Sequence, residues 1–373
     1  MKLFLDINDI PSKARVLIYG QGKAALNVLN HIRTERPDVR VPCLLDSFTS
    51  GSTAGLPVHR RDELSTLHIE WDIILVASAW WRDIVRDLHK EGWREVHVAA
   101  LPLWHKYVYS IREMDEATPS FNTVEAMLAT DQDREIYRLL VACRRENSAL
   151  VNMDEISPMI AEYAHVRETI FKHLTEQYLD FVVRNRISTV LHAGVFDGTD
   201  CLRFLDALPN LSMIHGFEPQ GTSAIEPNVL DTIEHSNKVE IYPQGLWSDT
   251  RALPLAGSGP CAALEPNMRP VQATGYVNTV SIDEFMAENN LDRIDYICLD
   301  VEGAELHVLN GARRTIESHR PQIAVCIYHL KEDIFQIPIS LKQHLDGYIF
   351  RIGHYSNGLH ETVIYAIPEE ILY

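Results

Sequence analysis

The amino-acid sequence predicts an α/β protein of two parallel-sheet modules joined by helices, the second module closing on a seven-stranded doubly wound sheet. Three observations carry this. Apolar runs at 15–19, 41–45, 73–77 and 96–99 alternate with a helical pattern at 24–33, the rhythm of a parallel sheet. A second alternation of five runs, 189–193, 213–217, 239–242, 294–299 and 322–328, follows from about residue 188. Two further runs, 348–352 and 361–367, have only a polar turn between them, so a hairpin ends the sheet.

Taken in order, the first strand runs into Gly20-Gln-Gly22-Lys-Ala-Ala25, and Asp46 ends the next strand about 24 residues after Gly22. This is the spacing of a dinucleotide-binding turn: glycines let backbone approach a pyrophosphate, and an acid meets the ribose. Two readings stay open, a nucleotide or sugar-nucleotide site at Gly20, Gly22 and Asp46, or a structural or partner-binding module. No Tyr-x-x-x-Lys pair follows at a distance that would support hydride transfer. Trp80 and Trp81, beside Ser78 at a strand end, either stack on a base or sugar or fill an interdomain core.

From 111 to 186, apolar residues recur at helical spacing: Ile136, Leu139, Leu140 and Cys143, then Ile170, Leu174, Tyr178, Phe181 and Val182. Helices are expected there. The division is therefore 1–110, 111–186 and 187–373.

In the last module, Gly194 and Gly198 follow the first strand and Glu218 ends the second. A loop without side chains that opens a helix, then a carboxylate one strand later, suits a ribose-bearing cofactor. Asp249 follows the third strand, where it would lie near an adenine, although a turn role fits equally. The fourth strand runs into Asp300-Val-Glu302-Gly-Ala-Glu305. Three carboxylates at one strand-to-helix turn sit where open sheets bind ligands. His329 ends the fifth strand and His354 leaves the sixth, so either is a candidate base beside Asp300 and Glu302. Glu305 most simply favours the helix dipole. Asp300 and Glu302 have the oxygen chemistry for Mg²⁺, but no full ligand set is legible and no metal is assigned.

Composition narrows the partners. A net charge of -18 over 373 residues repels polyanions, and the arginine pairs 60–61, 144–145 and 313–314 are scattered. Nucleic acid is not an expected partner. The six cysteines form no C-x-x-C pair, which suits a reducing compartment. No stretch reaches the roughly 18 apolar residues of a membrane span, so a cytoplasmic protein is expected.

From 180 to 368 the chain resembles the FkbM-type methyltransferases, most specifically in Asp300-Val-Glu-Gly-Ala-Glu305 and Ile327-Tyr-His329. The first hundred residues resemble the small Rossmann-like modules that accompany sugar-modifying enzymes. The resemblance implies the class I methyltransferase fold and S-adenosylmethionine held by Gly194, Gly198 and Glu218, with chemistry beside Asp300 and Glu302. It implies O-methylation of a sugar, polysaccharide precursor or polyketide-like hydroxyl, with a small-molecule or glycan acceptor and a homo-oligomer compatible. One departure is His192, where relatives usually carry Asp facing the cofactor's ammonium; Val195-Phe196 also replaces Ala-Asn or Ala-Phe. Asp197 and Glu218 are then expected to take over the ammonium. The alternatives are an assembly protein with a decayed site and a nucleotide-sugar oxidoreductase or epimerase.

Overall fold

The computed structural model describes residues 3–4, 7–66, 68–78, 81–99, 111–148, 176–256, 263–264, 273–355 and 361–372. The chain divides into two compact units, one holding the N-terminal sheet and the other the C-terminal sheet together with residues 112–143.

The first unit has seven strands: β1 (Leu3–Phe4), β2 (Val16–Tyr19), β3 (Leu44–Asp46), β4 (Gly51–Thr53), β5 (Leu56–Arg60), β6 (Ile73–Val76) and β7 (Val96–Ala99). They lie in the order β1-β7-β6-β2-β3-β5-β4, parallel except for the β4–β5 pair. Every residue of β2, β6 and β7 is buried, because helices cover both faces. Alternate residues point to opposite sides: Val16 and Ile18 pack with Val28, Leu29 and Ile32 of helix Lys23–Glu35. Leu17 and Tyr19 pack with Trp81, Ile84 and Leu88 of helix Trp81–Lys90. Trp81 is thus core of this unit rather than a stacking platform, and Trp80 lies outside the described residues.

The second unit continues with β8 (Thr189–Ala193), β9 (Met213–Phe217), β10 (Val239–Tyr242), β11 (Gly245–Leu246), β12 (Arg251–Ala256), β13 (Ala263–Leu264) and β14 (Ala273–Val280). The remaining strands are β15 (Tyr296–Leu299), β16 (Gln322–Cys326), β17 (Tyr348–His354) and β18 (Thr362–Pro368). Its main sheet has the order β10-β9-β8-β15-β16-β18-β17, with β18 antiparallel to both neighbours. This is the expected doubly wound sheet closed by a hairpin. The order reverses at β8, which pairs with β9 on one side and β15 on the other. A crevice forms at such a reversal because the connections leave to opposite faces.

A smaller sheet, β11-β14-β12-β13, was not anticipated. The clue was alternation along β14, where Tyr276 is exposed, Val277 buried, Asn278 exposed and Thr279 buried. Helix Ile282–Glu288 follows β14, stopped from fraying by a reciprocal Ser281–Glu284 capping box.

Helices Ile111–Met127 and Asp131–Ser148 confirm helical spacing, yet residues 112–143 belong to the second unit rather than to a separate connector. The edge strand β17 explains why. Ala129 N–H donates to Phe350 C=O at 2.9 Å, and buried Asp133 accepts from Arg351 Nε at 2.7 Å. These contacts cover an edge that would otherwise present unpaired backbone. Asp133 also closes a box with Thr130, which caps the second helix.

The expected helix through Tyr178, Phe181 and Val182 is instead a turn, and Ile170 and Leu174 lie outside the described residues. Tyr178 adopts φ +70°; its N–H donates to Tyr365 Oη at 2.8 Å and its C=O accepts from Tyr296 Oη at 2.6 Å. Those two phenols take the backbone groups a helix would have used. Cys43, Cys201, Cys298 and Cys326 are buried free thiols. Among the described residues no helix is long and apolar enough to cross a membrane.

Candidate functional site

Strands β8, β9, β15 and β16 are mutually parallel, so Gly194, Glu218, Asp300 and His329 emerge on one edge. Gly194 is fixed by that edge itself. It has φ +91°, and a Cβ there would lie 1.9 Å from the Asp300 carbonyl oxygen. The loop after β8 therefore runs against the end of β15 with no room for a side chain. Gly198, in the left-handed region, starts helix Thr199–Ala207 and packs against Ile233 and Val229. Glu218 is buried, and its carboxylate accepts from Phe196 N–H and Gln220 N–H, both at 3.0 Å. It ties the two loops together and keeps lone pairs for other donors.

His192 does not take the place the resemblance implies. It is fully buried on β8, edge-on to Phe204 at 5.4 Å and 6.4 Å from Tyr178 between centroids. Neither nitrogen has a hydrogen-bond partner, and burial lowers its pKa. It brings no positive charge to the edge.

The carboxylates converge on His329, which is 1% exposed. Its Nδ1–H donates to Glu305 Oε1 at 2.7 Å, and the same oxygen accepts from Val301 N–H at 3.0 Å. Glu305 thus closes the turn and orients the ring, beyond any effect on the helix dipole. His329 Nε2 lies 3.2 Å from Asp300 Oδ1 and 3.4 Å from Glu302 Oε1, in ion-pair contact but outside hydrogen-bond geometry. Burial pushes the imidazole down, but Glu305, Asp300 and Glu302 together lift its pKa well above the ordinary histidine value. His329 therefore rests as an imidazolium that neutralises the cluster, and is not poised to accept a proton. Against burial, His329 and Tyr178 hold Asp300 down at about 2.

Tyr178, Gln177 and Glu361, none of them singled out for this site from the sequence, join Tyr328 around Asp300. Tyr178 Oη donates to Asp300 Oδ2 at 2.6 Å, and Tyr328 Oη reaches Asp300 Oδ1 at 3.3 Å and Glu361 Oε1 at 3.4 Å. Gln177 Nε2 donates to Glu361 Oε2 at 2.6 Å. Tyr178, Phe196, Glu302 and Glu361 all adopt positive φ, a concentration of backbone strain that marks functional sites more often than plain scaffolds.

The other candidates are engaged elsewhere. His354 is buried and bonded through Nδ1 to Thr362 Oγ1 at 2.8 Å, across the β17–β18 hairpin. Asp249 pairs with Arg251 at the surface, while Trp247 stacks on His307 with centroids 3.8 Å apart.

In the first unit, Gly20 has φ +126° and a Cβ would meet Ala77 O at 2.8 Å, so close approach of strand ends requires it; Gly22 precedes the helix with open space around it. Asp46 accepts from Phe48 N–H and Thr49 N–H through Oδ1 and from Gln21 Nε2 through Oδ2. Those bonds fold the loop onto itself.

Residues 192–354 match the model of the methyltransferase FkbM domain. A 2-O-methyltransferase, NoeI, of Sinorhizobium fredii is 26% identical over 148 residues, which covers 35% of this chain; the chain spans only 60% of that relative's length. The crystal structure of the methyltransferase FkbM from Methylobacillus flagellatus superposes with a TM-score of 0.67 at 16% identity, over 95% of this chain and 90% of that one.

Proposed function

We propose, starting from a chain that carries an FkbM-family methyltransferase domain at residues 192–354, that it moves a methyl group from S-adenosylmethionine to a hydroxyl oxygen. The acceptor is a sugar, a polysaccharide precursor or a polyketide-like natural product. The observation that carries the reading is the cluster Asp300, Glu302 and His329 on the same sheet edge as the loop 194–198 and Glu218.

Residues of this chain fit the cofactor. Glu218 has lone pairs left for ribose hydroxyls after holding two loop amides, and the loop from Gly194 approaches without side-chain bulk. The cofactor supplies an electrophilic methyl. When bound, it would give up that methyl with cleavage of its C–S bond, and this chain would have to hold the acceptor oxygen in line and let the hydroxyl proton leave. Asp300, ionised and held by Tyr178 and His329, accepts the hydroxyl's hydrogen bond and orients its oxygen, while the proton passes to solvent as the new bond forms. Glu302 and the phenol of Tyr328 provide further partners on the same floor, which suits a polyol. That NoeI is a 2-O-methyltransferase supports oxygen as the acceptor atom.

Calorimetric titration with S-adenosylhomocysteine tests this. Micromolar binding that Glu218→Ala weakens at least tenfold, followed by methyl transfer to sugar hydroxyls, is expected. Absence of binding would instead favour an assembly protein whose site has decayed.

A further inference from the structure

We infer, resting on the methyl-transfer reading of the same site, that Tyr328 and Glu361 select an acceptor with two adjacent hydroxyls. Asp300 takes the hydrogen of one hydroxyl, and the Tyr328 phenol, turned onto Glu361, accepts from its neighbour. Tyr328 touches the acceptor, and Glu361 acts through it as a positioning residue.

The observation is a closed ring of five side chains drawn from four chain segments. Gln177 Nε2 donates to Glu361 Oε2 at 2.6 Å and to Tyr178 Oη at 3.2 Å, which uses both amide hydrogens. Tyr178 Oη donates to Asp300 Oδ2 at 2.6 Å. Tyr328 Oη closes the ring between Asp300 Oδ1 at 3.3 Å and Glu361 Oε1 at 3.4 Å. A phenol has one hydrogen, so it serves one of these oxygens and leaves the other short of a donor. Both contacts exceed the roughly 2.5–3.0 Å of a settled O–H···O bond, so the hydrogen is committed to neither.

An acceptor resolves the choice. When a hydroxyl gives its hydrogen to Asp300 Oδ1, the phenol turns to Glu361 and its oxygen keeps lone pairs for a second hydroxyl. The Tyr328 ring is buried against His329, with centroids 4.1 Å apart, so only the hydroxyl hydrogen has to move. The two receiving atoms stand 3.3 Å apart, which suits hydroxyls on neighbouring carbons approaching from one side. The Asp300 side chain is 25% exposed and Glu361 is half-buried, so a ligand can reach them. Tyr178 and Glu361 adopt φ of +70° and +59°, a backbone cost that persists where surrounding contacts hold a functional geometry. No local pattern announces the ring, since Gln177 and Glu361 are 184 residues apart.

The test titrates the full chain, with and without S-adenosylhomocysteine, with cis-1,2-cyclohexanediol and with 1,4-cyclohexanediol, followed by saturation-transfer NMR. These probes have the same groups and differ in hydroxyl spacing. The 1,2-diol is expected to bind about fivefold more tightly, the worth of one added hydrogen bond. Tyr328→Phe and Glu361→Ala should erase that preference, while Glu361→Gln, whose amide oxygen still accepts from the phenol, should keep it; thermal melts establish that the variants fold. A merely structural role would not move the ratio between the two diols. Equal binding of both, no saturable binding of either, or a preference that survives in folded Tyr328→Phe overturns the inference. Cofactor binding without diol preference defeats only the paired-hydroxyl site. Diol preference without S-adenosylhomocysteine binding supports that site and defeats the methyltransferase reading.

Discussion

Tyr178→Phe removes one oxygen from the site and leaves the polypeptide around it anchored. The phenol donates to Asp300 Oδ2 at 2.6 Å and contacts Cys326 Sγ at 3.4 Å. The backbone of residue 178 stays clamped by Tyr365 and Tyr296, so the turn should keep its place. A hydrogen bond to a carboxylate in a buried setting is worth about 2 kcal/mol. The unit that contains it spans about 240 residues, for which the unfolding entropy is about 0.5 kcal/mol/K. The expected fall in Tm is therefore about 4 °C by scanning calorimetry. Asp300 also loses a donor that holds its carboxylate in position and its pKa low, so turnover should drop about tenfold, equivalent to about 1.4 kcal/mol. Affinity for S-adenosylhomocysteine should stay within about twofold, because Glu218 and the glycine loop are untouched. A Tm within 1 °C of the parent together with unchanged turnover would refute the assignment of Tyr178 to Asp300.

Two further outcomes follow from the same edge. Gly194→Ala places a Cβ 1.9 Å from the Asp300 carbonyl at φ +91°, and should cost about 3 kcal/mol or more, lowering Tm and weakening S-adenosylhomocysteine in the same variant; a parent-like Tm would contradict the close packing. Burial and the neighbouring Glu305 push Asp333 up to about 8, although Leu330 N–H donates to it. With a folded pKa above the unfolded one, this group favours folding most below about pH 4, and its contribution declines as pH rises toward 8. Asp333→Asn keeps an acceptor for Leu330 without the charge. At about 1.4 kcal/mol per pKa unit, even a quarter of that displacement should make the variant more stable than the parent by about 1 kcal/mol at pH 8, and not at pH 4; equal melting at both pH values would count against it.

Much of this edge was legible before any coordinates. Gly194, Glu218, Asp300 and His329 were placed correctly at strand ends because fully buried strands such as β15 and β16 read as unbroken apolar runs. The carboxylates at 300, 302 and 305 are local in sequence and needed only the turn that follows β15. His192 misled, since its place in the motif gives no hint that Phe204 and Tyr178 enclose it.

Periodicity and turn chemistry are properties of neighbouring residues, so the sequence by itself determined two α/β modules, their strands and the turn that carries the acids. Strand order, the direction of a side chain and the charge state of a buried group depend on what packs from far along the chain. Tyr178 reaches Asp300 across 122 residues, helped by a positive φ that no helical pattern announces. His329 meets three carboxylates because β16 lies beside β15, and their combined field, outweighing burial, decides that it rests charged. Only the tertiary structure could decide these things, since they arise from burial and close approach rather than from residue type.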